Sequence, residues 1–66
     1  MKVNQIFKDR VQIELTRDDL LILGNALNEV CNGIEIFEFE TRIGASSDLV
    51  TELLGKIGNL LNEMDA

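Results

Sequence analysis

The chain has no histidine, proline, tryptophan or tyrosine, and one cysteine among its 66 residues. Each absence removes a class of chemistry. Without histidine there is no side chain that ordinarily titrates near neutral pH, and without tyrosine the phenolic acid is missing too. A lone Cys31 makes no intrachain disulfide, and with no histidine to join it, it cannot form a structural zinc site. No glycine-rich phosphate loop and no Gly-x-Ser-x-Gly nucleophile turn occurs. The acid pairs Asp18 with Asp19 and Glu38 with Glu40 follow from number alone in a chain with twelve carboxylates. The expectation is a non-enzyme that uses no cofactor and no metal.

Cations are also scarce. Six Lys and Arg stand against twelve Asp and Glu, a formal charge of −6. Phosphate contacts dominate affinity for nucleic acid, so this balance argues against DNA or RNA as a partner. Residues 41–48 and the helix behind them have the outline of a helix-turn-helix, but that helix offers Lys56 against Asp48, Glu52 and Glu63. A degenerate regulator of that kind is the weakest alternative. The acidity serves solubility, or it steers the chain towards a basic partner protein. Long apolar runs are missing as well: the longest covers residues 20–23, far too short for a membrane span or a signal peptide. With a free thiol, the expected location is the reducing cytoplasm.

A chain this short makes one domain, residues 1–66, and removes only about 60% of its unfolded surface from water. Small domains are usually reinforced by disulfides, a metal or association. The first two are excluded by composition, which leaves a homodimer or a partner protein.

Val11, Ile13 and Leu15 alternate with Gln12 and Glu14, the period of a half-buried strand. Residues 2–7 can form a second strand, with Lys8-Asp9-Arg10 as a turn lacking glycine. Thr16 then caps a helix, with Asp19 three residues on completing a capping box and Asp18 beside it at the positive helix end. Leu20, Leu23, Leu27, Val30 and Ile34 fall on one stripe at about 100° per residue, with Cys31 at its edge. Gly33 reads as a left-handed C′ residue. Residues 34–43, IEIFEFETRI, fit either a strand or a short helix closed by Gly44, and the serines that follow favour the helix. From Ser46 or Ser47 a last helix carries Leu49, Val50, Leu53, Leu54, Ile57, Leu60, Leu61 and Met64 at helical spacing to about residue 63. The expected fold is α+β, an N-terminal strand or β-hairpin packed against two amphipathic helices with a short helical or irregular segment between them.

The outer face of the first helix is unusual. Asn25, Asn28, Glu29 and Asn32 share a sector of roughly 100° opposite the leucine stripe. Asparagine costs about 0.5 to 0.7 kcal/mol of helix stability relative to alanine, and Gly24 about 1 kcal/mol. Leu21 borders this amide face. Either the face is a contact surface, or Asn32 belongs to the helix end, Asn28 is merely solvated and Leu21 packs under residues 34–43. Thr51, Gly55, Gly58 and Asn62 form a second small-residue face, on the last helix, for which relaxed selection near a C-terminus is the simpler explanation.

The pairing of NALNEVCNGI with FETRIG resembles short bacterial proteins, over roughly residues 11 to 62. That resemblance implies no activity of its own. By analogy of class, small acidic proteins include immunity proteins that block a toxin. The expected function is a bacterial protein-binding module of immunity or inhibitory type. It would occlude a basic partner through Leu21, Asn25, Asn28, Glu29 and Asn32 together with Glu35, Glu38 and Glu40. The alternatives are a structural homodimer or a small adaptor.

Overall fold

The fold is α+β: an antiparallel hairpin followed by helices. The computed structural model describes residues 1–65. Strands β1 (Lys2–Ile6) and β2 (Val11–Glu14) pair with Val3 opposite Ile13 and Ile6 opposite Val11. An irregularity between Val3 and Gln5 leaves Asn4 as the extra residue of a bulge. The bulge has a purpose that alternation alone does not show. By shifting register it puts Val3, Ile6, Val11 and Ile13 on one face of the ribbon. The turn holds without glycine because Phe7 N–H donates to the Arg10 carbonyl at 2.9 Å, while the Arg10 guanidinium lies 4.0 Å over the Phe7 ring.

Helix α1 (Arg17–Asn28) starts at the capping box read from the sequence. Asp19 N–H donates to Thr16 Oγ1 and Thr16 N–H donates to Asp19 Oδ2, each at 3.1 Å. Its other end departs from expectation. Gly33 is not left-handed; the helix widens instead into a π turn (Glu29–Gly33), and Ile34 N–H reaches the Glu29 carbonyl at 3.0 Å. This wider bond satisfies a terminal carbonyl that a left-handed glycine usually serves.

The ambiguous stretch resolves into irregular chain and then the short helix α2 (Phe39–Ile43), closed by Gly44 at φ 90°. Helix α3 (Ser47–Asp65) begins at Ser46, whose Oγ accepts from Leu49 N–H at 3.3 Å. It runs antiparallel to α1: Arg17, at the start of α1, grips Asp65 at the end of α3 through two bonds of 2.9 and 3.0 Å.

Between α1 and α3 lies a thin core. Among the described residues Leu20, Val50 and Ile57 are its buried side chains, with Leu27, Val30, Leu54 and Leu61 half-buried around them. Leu23 and Ile34, expected on the same stripe, are 41% and 58% exposed. The reason is Gly24. The α1 backbone meets α3 along Leu20, Gly24 and Leu27, which turns Leu23 off the contact line, and the π turn breaks the periodicity before Ile34.

The molecule measures 35 × 34 × 15 Å, and its thinnest dimension is little more than one helix with its side chains. Its radius of gyration is 13.4 Å, where about 11 Å is usual for this length. Every residue of both strands is exposed.

Candidate partner-binding surface

The two helices leave a groove of ≈ 320 Å³ along one side of their contact. From α1 it is lined by Leu21, Gly24, Asn25 and Asn28, and from α3 by Leu54, Ile57, Gly58 and Leu61. Three residues expected from the amide face, Leu21, Asn25 and Asn28, therefore meet in one concavity. Leucine and isoleucine form its floor and two carboxamides its edge. Asn32 joins the edge indirectly, since its Nδ2 donates to Asn28 Oδ1 at 2.9 Å.

The other expected residues stand elsewhere. The Glu29 carboxylate folds back over Gly33, where an added Cβ would collide with it. Glu35, Glu38 and Glu40 lie on the connecting segment, all exposed. Among the described residues no hydrogen bond or ion pair engages their side chains. Beside them Phe37 is 75% exposed. Glu38 is the one described non-glycine residue with positive φ, at φ 53° and ψ 50°. Left-handed backbone costs a side-chain-bearing residue about 1–2 kcal/mol, and such strain collects at functional segments more than elsewhere.

Sequence reasoning missed the α3 half of the groove. The signal was present in the small-residue face of the last helix: Gly58 sits across from Leu21, and no atom lies within 4 Å of where its Cβ would be. Gly24 costs helix stability but marks the place where α1 comes close to α3 at the groove floor: a Cβ there would stand 3.4 Å from Ile57 Cγ2, at the tight end of van der Waals contact.

A second, smaller recess of ≈ 220 Å³ lies beside the start of α1, lined by Met1, Leu15, Asp19, Ile22 and Leu23. Here the Met1 ammonium pairs with Asp19 at 2.9 Å. That ammonium, with the Thr16 backbone N–H, holds the Asp19 carboxyl below its ordinary range. The Asp65 carboxyl is lowered, and the Arg17 guanidinium raised, by their mutual bonds. Among the described residues no three His, Cys, Asp or Glu side chains stand together as a metal site, and no helix is long and apolar enough to cross a membrane.

Charge is unevenly spread. Residues 1–15 carry Lys2, Lys8 and Arg10 against Asp9 and Glu14, whereas residues 16–65 carry three cations against ten acids. The hairpin is thus mildly cationic and the helical part, where the groove lies, strongly anionic. Comparison with known proteins gives no match: no family model fits the chain, and no curated protein or solved structure is similar to it.

Proposed function

We propose that this chain is a protein-binding module of the bacterial cytoplasm that occludes a basic surface on its partner, as an inhibitor or immunity protein does. The observation that carries this reading is the groove between α1 and α3, an apolar floor edged by Asn25 and Asn28 within an anionic helical body. A lysine or arginine of the partner suits it chemically. The methylene stem lies on Leu21, Leu54 and Leu61, and the charged head donates hydrogen bonds to the carboxamide oxygens. The surrounding acids raise the encounter rate and disfavour acidic competitors. Phe37 and the carboxylates of Glu35, Glu38 and Glu40 extend the surface.

The test is capture of a partner from the native host by the immobilised chain, followed by affinity measurement with that partner purified. The partner is expected to be basic and its binding to weaken with salt. Asn25→Ala with Asn28→Ala removes two hydrogen-bonding groups worth about 1 kcal/mol each, so affinity falls roughly thirtyfold. Recovery of neutral or acidic partners only, or an affinity indifferent to the double substitution, refutes the reading.

A further inference from the structure

The side of the helix pair opposite the groove carries a different surface. At about 100° per residue, Leu49, Leu53, Leu60 and Met64 form one line along α3, turned away from the groove-lining Leu54 and Gly58. They are 60, 51, 48 and 50% exposed. The hairpin has an equally uncovered apolar face, on which Ile6 is 77% and Val3 51% exposed. Neither face is covered by the described residues.

The geometry points to a second copy of this chain as the occupant: two protomers exchange hairpins, the Val3, Ile6, Val11 and Ile13 face of each lying on the α3 stripe of the other. Four observations converge on a copy rather than an unrelated protein. The first is area. A 7.4 kDa monomer is expected to expose about 4,200 Å², and this chain exposes 5392 Å². The excess of roughly 1,200 Å² per protomer exceeds the ≈ 800 Å² per side of a standard interface, and doubled it reaches the range of permanent dimers.

The second is thickness. A domain closes its core between two layers, and at 15 Å this chain has one. The third is charge. Glu63 flanks the α3 stripe, and the turn of the hairpin that would lie across it carries Lys8; neither forms an ion pair among the described residues. The fourth is closure. Hairpin on stripe, repeated by a two-fold axis, uses both uncovered faces of both protomers and leaves none to propagate. A bare two-stranded ribbon is marginal in water, and this arrangement supplies the layer it lacks.

A charge-exchange experiment tests the pairing by sedimentation of the full chain. The unmodified protein is expected to be dimeric at about 100 µM protomer. Lys8→Glu sets like charges together at both contacts of its own dimer, and so does Glu63→Lys. Each variant alone therefore dissociates at least tenfold more readily. Mixed in equal amounts, the two regain dimer, because only the mixed pair matches at both contacts. Ile6→Asp, at a side chain exposed in the single chain, reads the apolar part independently. It raises the dissociation constant about a hundredfold, since the residue enters twice and each burial is worth a factor of ten or more.

A monomeric unmodified protein, a dimer unmoved by these substitutions, or failure of the mixture to re-form dimer each overturns the proposal. The groove edged by Asn25 and Asn28 lies on the other side of the helix pair. Loss of dimer therefore leaves the partner-binding reading standing, and the reverse also holds.

Discussion

Four of the five glycines of this chain sit in three kinds of environment, and replacing each by alanine separates propensity from packing. Gly55 and Gly58 lie inside α3, where glycine costs about 0.8–1.0 kcal/mol relative to alanine. An added Cβ meets nothing within 4 Å at either position. Each substitution should therefore deliver nearly the full gain, and the pair about 2 kcal/mol. For a domain of this size 1 kcal/mol corresponds to roughly 4–8 °C in Tm. At Gly24 the added Cβ would stand 3.4 Å from the Ile57 methyl, at the tight end of van der Waals contact, so Gly24→Ala keeps only part of the propensity gain, up to about 0.5 kcal/mol. Gly44 reverses the sign. At φ 90° a Cβ is strained whatever the space around it, and Gly44→Ala costs about 1–2 kcal/mol.

Urea and thermal denaturation at one fixed protein concentration read this order. It fails if Gly24→Ala is the most stabilising of the four, or if Gly44→Ala is neutral. A binding measurement on the same proteins separates the two α3 positions. Gly58 lines the groove and Gly55 does not, so Gly58→Ala should lower affinity for a captured basic partner while Gly55→Ala leaves it unchanged. Equal effects of the two on binding would place the contact somewhere other than the groove.

Further expectations rest on the caps and the strained residue. Thr16→Ala removes the oxygen that accepts from Asp19 N–H and should lower stability by about 1 kcal/mol in urea, with the denaturant slope unchanged. Glu38→Gly relieves a left-handed backbone worth about 1–2 kcal/mol but adds 0.5–1 kcal/mol of unfolded-chain entropy, so it should stabilise by up to about 1 kcal/mol. A destabilised Glu38→Gly protein would show that the side chain holds the segment in place. The carboxyls of Asp19 and Asp65 are depressed in the folded chain, so their contribution is present above the ordinary value of 3.8 and is lost as pH falls through the lower folded values. Asp65→Asn should therefore flatten the loss of stability below about pH 4, followed by circular dichroism; an unaltered acid limb would contradict the assignment to the Arg17 pair.

How much of this was legible in the residues depends on the range of the interactions involved. The capping box, the alternation of Val11 and Ile13, the Gly44 stop and the Ser46 start are local, each decided within about one turn of chain, and each reads directly from the sequence. Leu23 and Ile34 were misplaced for non-local reasons. Gly24 against Ile57 sets where α1 touches α3, and the π turn shifts every residue after it, neither of which a fixed 100° wheel can contain. The half of the groove built from Leu54, Gly58 and Leu61 was invisible for the same reason, since an amide face on one helix does not disclose its neighbour. The bulge at Asn4 is the clearest instance. Without it the spacing of Val3 and Ile6 puts them on opposite faces of a strand, and no uncovered apolar face is foreseen.

That uncovered face ties stability to association in a way that bears on every measurement above. The helix pair buries Leu20, Val50 and Ile57 and little else fully, whereas a 66-residue chain must offset about 1.5 kcal/mol of conformational entropy for each residue it orders. One thin layer is poorly suited to that. If the second layer comes from another copy, part of the folding free energy is interface free energy, and Tm must rise with protomer concentration. The same coupling accounts for a groove edged by weak helix formers such as Asn25 and Asn28. Stability supplied on the dimer side of the helices leaves the opposite side free to carry residues chosen for contact. A Tm independent of concentration over about a hundredfold range would break this link, and it would leave the exposed Leu53, Leu60 and Ile6 without the role assigned to them.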